Sequence, residues 1–350
     1  MKFNRERISA DIEKTIKKMV RTIVKRSFGG SIEKFIEKKK ISSRFYERSL
    51  KSKRGVIYHW DLDGTISAAL IIQYLLERYR DFPKILGSSH KNLFNNIRNF
   101  VESYKLEELF IVDLAPIENT KIIQLPKLTI ITDKEISTIK NYEKEGMEMV
   151  GSEDNKSTSE LTYYYIKSKG FKGNNVERLV EIASMSHGKR ADEEAKTIQY
   201  SLELIPWISE AVVFELAENG NILDNRLWRA MDDCFSVSCD AMNLIYKSYK
   251  TLYDGDNAIV MQYPISFFSH LILSEIRGKK GKTAIGIKYD ENDITTIARC
   301  KNKEDAKRLE EYLRMVTEII EMPHPDYIIA NCPKYNNQML LNFLKEYCML

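Results

Sequence analysis

The sequence predicts an α/β protein: a parallel-sheet domain, a helical connector and a smaller α/β domain, preceded by a basic helical extension. Three observations predict it. At 350 residues the chain exceeds the size at which a single core keeps growing. Short β-branched runs alternate with amphipathic helical stretches, which is the texture of a sheet wound by helices. That texture starts abruptly at Gly55, after a Lys- and Arg-rich segment, and starts again near Asn257. The expected divisions are residues 1–54 (extension), 55–200 (first α/β domain), 201–255 (connector) and 256–350 (second α/β domain).

In chain order, the extension opens with Ile8, Ile12, Ile16, Met19 and Ile23 at helical spacing, with Lys and Arg on the other faces. Phe28-Gly29-Gly30 ends that helix, and Ser31 caps a second one with Ile32, Phe35 and Ile36 on its apolar face. Residues 1–54 hold 18 Lys and Arg against 6 Asp and Glu, so a chain of net charge +4 has a body of net charge −8. Such a segment suits nucleic acid, an acidic protein or a lipid headgroup, and equally a helix packed on the body with solvated lysines.

The first domain begins with the β-prone run 56–58, the loop Asp61-Leu62-Asp63-Gly64 and an apolar helix over about 66–79. Strand-like runs follow at 109–112 and 128–131. Ser157-Thr158-Ser159-Glu160 is a capping box that starts a helix ending at Lys169-Gly170. Residues 176–250 read as mostly helical. The second domain shows strands at 258–261, 283–287 and 295–298, with helices at 268–276 and 304–315.

With 43% hydrophobic and 30% charged residues, the composition is that of a packed globular protein and excludes disordered and fibrous classes. No apolar run approaches 18 residues and the first residues lack a signal-peptide core, so a cytoplasmic protein with no membrane contact is expected. Cys234, Cys239, Cys300, Cys332 and Cys348 are scattered without CxxC spacing, which predicts reduced thiols. Abundant Lys, Glu, Ile and Tyr with little Gln resembles a thermophile's composition.

The chemistry concentrates where the first three strands stop: Asp61 with Asp63, then Asp113, then Asp133. Ligands of an open parallel sheet bind at the carboxyl ends of its strands, so these carboxylates are expected to converge on one edge. His59 shares Asp61's side of an extended chain. Carboxylates and one imidazole suit Mn or Mg, and a metal pair would activate water against a phosphodiester. Asp61-Leu62-Asp63-Gly64-Thr65 also matches the first motif of haloacid-dehalogenase phosphatases. The later strand-end acidic pair of that family is missing, because Asp232-Asp233 follows a helical run.

His59-Trp60-Asp61-Leu62-Asp63-Gly64-Thr65-Ile66-Ser67-Ala68 resembles the first motif of the DHH phosphoesterase superfamily, His-x-Asp-x-Asp-Gly-x-x-Ser-Ala. Val112-Asp113-Leu114 resembles its second motif, and Asp133-Lys134-Glu135 stands where the family has Asp-His-His. Phe268-Ser269-His270-Leu271 through Ile297-Ala298-Arg299-Cys300 is similar to the RecJ-type substrate domain, so the likeness covers about residues 55–335. The resemblance implies metal ligands at His59, Asp61, Asp63, Asp113 and Asp133, and a phosphate contact at Arg299.

Three departures alter what the resemblance implies. Lys134 and Glu135 replace the signature histidines, and a charged lysine cannot ligate a metal. The fourth motif, expected near residues 182–192, has only His187 or Asp192 to serve it. Pro323-His324-Pro325-Asp326 occupies the place of a glycine-rich stretch and removes flexibility and backbone donors. The metal set is therefore expected to be vestigial, with no catalytic residue and no resident cofactor, Mn or Mg being the ion if one is kept. The chain then resembles the degenerate archaeal and eukaryotic RecJ relative that joins MCM and GINS in the replicative helicase complex. A structural subunit with GINS and MCM proteins as partners, and single-stranded DNA as a further contact, is the expected role. The alternative is a Mn-dependent single-strand exonuclease or small-nucleotide phosphodiesterase with a reduced ligand set. Trp60, Trp207 and Trp228 are expected as core or interface anchors.

Overall fold

The computed structural model describes residues 3–42, 46–89, 93–114, 127–135, 146–152, 156–173, 176–184, 192–262, 268–289, 292–317, 319–324 and 326–349. Two compact units emerge, one of Val20–Ser236 and one of Met1–Met19 with Val237–Leu350. In chain order the elements up to the end of the connector are α1 (Phe3–Phe28), α2 (Ile32–Ser42), α3 (Tyr46–Lys51), β1 (Arg54–His59), α4 (Leu62–Tyr79), β2 (Lys84–Ser88), α5 (Leu93–Tyr104), β3 (Glu108–Val112), β4 (Lys127–Glu135), β5 (Met147–Ser152), α6 (Thr158–Ser168), α7 (Val176–Ser184), α8 (Glu193–Leu204), a 3-10 turn (Pro206–Ile208), α9 (Ser209–Asn219) and α10 (Asn225–Ser248).

β1, β3, β4 and their neighbours form one parallel sheet of order β2-β1-β3-β4-β5. β1 and β3 are apolar because both their faces are covered. Ile57, Leu109, Ile111 and Ile130 pack with Ile97 and Phe100 of α5. α4 packs against β1, α6 and α9, so every residue from Leu62 to Ile72 is buried. The register aligns Tyr58 with Val112, and Val112 with Ile131, so the carboxyl ends of β1 and β3 lie level with the Ile131 region of β4. The chain leaves β1 toward β2 on one side and returns to β3 on the other, which makes the β1/β3 ends the topological switch point.

Glycine and capping chemistry ends the extension's helices as its sequence predicts. Gly29 and Gly30 adopt φ 64 and 95, and the Ser31 hydroxyl accepts the Lys34 amide at 3.2 Å. α2 packs on α9, burying Ile32, Phe35 and Ile36. Two of its four lysines are paired on the body: Lys39 Nζ lies 2.5 Å from Glu215 and 3.2 Å from Asp224, and Lys40 pairs with Glu210, while Lys34 and Lys38 are exposed. Glu215 also accepts the Leu223 and Asp224 amides. Lys39→Met would leave the enclosed Glu215 without its cation and Asp224 with Arg226 alone at 3.4 Å, and we expect it to cost about 3 kcal/mol. Urea unfolding followed by circular dichroism measures it, and Lys40→Met, on a more exposed pair, should cost under about 1 kcal/mol.

The second unit holds β6 (Lys250–Asp254), β7 (Ala258–Gln262), α11 (Ser269–Lys280), β8 (Thr283–Tyr289), β9 (Asp293–Arg299), α12 (Lys303–Arg314), β10 (Ile319–His324), β11 (Tyr327–Pro333) and α13 (Asn337–Met349). Its sheet has the order β10-β11-β9-β8-β7-β6, parallel only between β7 and β8. The backbones of Pro323 and His324 end β10, an edge strand, where a missing N–H is tolerated. α12 and α13 close one face over Ala258, Ile285, Ile328 and Ala330. Among the described residues no helix is long and apolar enough to cross a membrane.

Candidate metal centre at the switch point

The loop after β1 is shaped by its own side chains. Asp61 caps α4, its Oδ1 accepting the Gly64 amide at 2.9 Å. That leaves Oδ2 facing His59 Nδ1 at 3.0 Å. Asp113 follows β3 with a left-handed φ of 61, which Asp tolerates better than most residues, and its amide donates to Ile131 O at 2.9 Å. The turn aims its carboxylate back toward β1, with Oδ2 3.8 Å from His59 Nδ1. One ligand atom from each of His59, Asp61 and Asp113 lies within 4.8 Å of the others.

Asp63 and Asp133 are used differently. Asp63 is buried in the first turn of α4, and its oxygens accept the Thr158 amide at 2.8 Å and the Ser159 amide at 2.9 Å. It therefore neutralises the N-terminus of α6, where orphan amides and the helix dipole favour an anion. Asp133 lies inside β4, which runs on past Ile131 through an irregular register to Glu135, so it does not end its strand as the sequence predicts. Its amide donates to Thr158 Oγ1 at 3.1 Å, and Thr132 Oγ1 lies 3.4 Å from its carboxylate.

The charges interact strongly. Burial pushes the Asp113 carboxyl well above the ordinary carboxylate range, and the neighbouring Asp61, Asp63 and Asp133 push the same way. Burial disfavours the His59 imidazolium, but Asp61 at hydrogen-bond distance, with Glu203 and Asp133, outweighs it and raises His59. Burial likewise opposes ionised Asp61, and His59 with the Gly64 amide overcomes it, holding Asp61 below the usual range. His59 and Asp113, both raised, hold their protons to higher pH than usual, and a divalent cation would compete with those protons for two carboxylates and an imidazole, which are hard and borderline donors. The donor set fits Mn or Mg.

The pH dependence follows. His59 and Asp113, both raised, contribute stability at low pH that is lost as pH rises through their raised values; Asp61, lowered, loses its contribution only as pH falls through its own. Without metal, the contribution of Asp113 thus fades from about pH 3.9 upward and that of His59 from about pH 6.5 upward. Mn2+ at about a hundred times its dissociation constant should add about 2.7 kcal/mol. We expect the Mn2+-induced rise in Tm to be larger at pH 8 than at pH 6, because fewer protons must leave. An equal rise at both values would contradict this protonation scheme.

The other expected site residues fall elsewhere. The backbones of Lys134 and Glu135 continue β4, and their side chains, like those of Pro323, His324 and His270, lie outside the described residues, as do His90, His187 and Pro325. Asp192 caps α8 through the Ala195 amide and pairs with Arg178, so it serves the helix rather than the trio. Arg299, in the second unit, donates to Asp326 at 2.8 Å and stacks on Tyr327 at 4.4 Å; Arg277 also pairs with Asp326. A phosphate at Arg299 would have to compete with that carboxylate. Trp60 and Trp228 are half-buried, but Trp207 is 60% exposed on its 3-10 turn and is not a core anchor. Thr158 and Glu203 are the participants that sequence reading misses. Thr158 stands inside a Ser-x-x-Glu capping box whose reciprocal bonds involve only Ser157 and Glu160, and Glu203 belongs to a distant helix.

No family model matches the chain, and no curated protein matches its sequence. Solved structures do match its fold. A DHH domain from a member of the S1p family of ribosomal proteins is 12% identical, with a TM-score of 0.59 over 100% of each chain. RecJ from Thermus thermophilus, in complex with Mn2+, is 10% identical with a TM-score of 0.50, over 84% of this chain and 52% of that one. This chain therefore spans about half the length of that RecJ. CDC45 from Entamoeba histolytica is 8% identical with a TM-score of 0.50, over 86% of this chain and 96% of that one. The architecture that the motifs led us to expect, a parallel five-stranded sheet wound by helices and a second sheet, is shared with these proteins: the chain has a DHH/RecJ-like fold.

Proposed function

We propose that this chain is a non-hydrolysing, RecJ-like binding subunit of a DNA-replication complex, with GINS and MCM proteins as partners and single-stranded DNA as a further contact. The observation that carries the reading is the engagement of both Asp63 oxygens by α6 amides. With Asp63 so engaged, the trio His59, Asp61 and Asp113 supplies ligands for one cation. Two-metal phosphodiester chemistry needs bridging and flanking ligands for a pair about 3.5–4 Å apart. The replacement of two signature histidines by Lys134 and Glu135 supports the same reading. So does the likeness to CDC45, a replication factor, over most of both chains.

Capture from the native extract on the tagged full chain tests it. Recovery of GINS and MCM at low and moderate salt is the expected result. A parallel assay incubates the chain with short single-stranded oligonucleotides and Mn2+ or Mg2+. The convergence of His59, Asp61 and Asp113 favours a second reading, a Mn-dependent exonuclease or small-nucleotide phosphodiesterase. Hydrolysis that disappears in both Asp61→Ala and Asp113→Ala would establish that alternative and overturn the first.

A further inference from the structure

Thr158 is fully buried at the first position of α6 and joins the segments that follow β1 and β3 to β4. Its amide donates to Asp63 Oδ2 at 2.8 Å, fixing the helix to the loop after β1. Its hydroxyl donates to Asp113 Oδ1 at 2.7 Å, at the end of β3. The same oxygen accepts the Asp133 amide at 3.1 Å, from β4. A hydroxyl has one proton, and because the Asp133 N–H occupies its acceptor side, that proton is directed at Asp113. Asp113 Oδ1 is thereby engaged, and Oδ2 is the oxygen turned toward His59. The Asp113 backbone is fixed as well, by its left-handed turn and its bond to Ile131.

From this geometry we infer that Thr158 is the positioning residue of the metal centre: it holds Asp113 as a one-oxygen ligand aimed at the cation shared with His59 and Asp61. The inference rests on the one-cation reading of the site and adds to it the residue that sets its affinity. Partners that orient a ligating carboxylate typically contribute 10–100-fold to metal affinity. Thr158→Val keeps the shape and removes both donor and acceptor, so Asp113 is free to turn and to offer two oxygens. Thr158→Ser keeps the hydroxyl.

Calorimetric titration of the full chain with Mn2+ alone tests the inference, with thermal melting of each variant to confirm folding. Thr158→Val should bind Mn2+ about 10–100-fold more weakly than the parent chain, while Thr158→Ser stays within about threefold. If Thr158→Val does not fold, Thr158→Ala, which leaves room for a water at the Asp133 amide, carries the same expectation. A folded Val or Ala variant that binds Mn2+ like the parent overturns the positioning role and leaves the one-cation site standing. Equal weakening in the Ser variant also overturns it, since helix packing rather than the hydroxyl would then set affinity. A parent chain that binds no Mn2+ overturns the one-cation reading itself, and this inference with it.

Discussion

Asp63→Ala is expected to destabilise the sheet unit by about 4 kcal/mol, although nothing in a metal-site motif would rank Asp63 as a structural residue. The side chain is 3% exposed and accepts two backbone N–H groups from α6. Hydrogen bonds to a charged acceptor contribute roughly 1.5–3 kcal/mol each, and both donors would be left enclosed without a partner. The positive end of α6 would lose its counter-charge as well. Asp63→Asn should fall between the two, because its amide oxygen satisfies one donor while its NH2 faces the other. The urea midpoint followed by circular dichroism reads the effect. A loss below about 1 kcal/mol in the alanine variant would mean that water replaces the carboxylate, and that Asp63 is available to a metal after all.

Gly64→Ala should be at least as damaging, at about 4–5 kcal/mol or failure to fold, and should abolish Mn2+ binding in whatever fraction folds. A Cβ on Gly64 would lie 2.2 Å from the His59 carbonyl oxygen and 2.9 Å from its carbon. The obstruction is backbone of the central strand β1, so no flexible side chain can give way, and overpacking that moves the main chain lies at the costly end of its range. Gly64 does not have a positive φ, so the glycine is required for space rather than for conformational freedom. Relief would come from driving the end of β1 away from α4, which displaces His59 and breaks the 2.9 Å bond between the Gly64 amide and Asp61. Calorimetry with Mn2+ and the urea midpoint should therefore fail together. A variant that binds Mn2+ normally would show that the β1–α4 junction can open without disturbing the site.

What was legible in the sequence depended on burial. β1, β3 and β4 stood out because strands covered on both faces are written as unbroken apolar runs. β2 and β5, at the sheet edges, are only partly buried over most of their length, and Lys84-Ile-Leu-Gly-Ser88 and Met147–Ser152 carry no such run. β6, β10 and β11 escaped as well, because Lys and Asp bound β6, Glu and Pro interrupt β10, and Asn and Pro interrupt β11. In the site, the convergence of His59, Asp61 and Asp113 was legible because each stands within two residues of a buried strand's end. Asp133 was assigned to the right strand but to its end, whereas β4 continues two residues beyond it to Glu135. The roles of Thr158 and Glu203 were not legible, because they depend on where helices 40 or more residues downstream come to rest.

The burial of α4 bears on how the molecule's history should be judged. The helix starts inside the motif, and from Leu62 to Ile72 none of its residues reaches solvent. Selection for a stable core would by itself retain Asp63 as the anchor of α6 and Gly64 as the contact with β1, in a lineage that had long abandoned hydrolysis. These two letters therefore say little about turnover. The positions that only a metal or substrate would hold in place are the ones able to report on chemistry, and Lys134 and Glu135 stand where the DHH motif has histidines. In a protein of this fold, the capping aspartate and the contact glycine record only that the core folds.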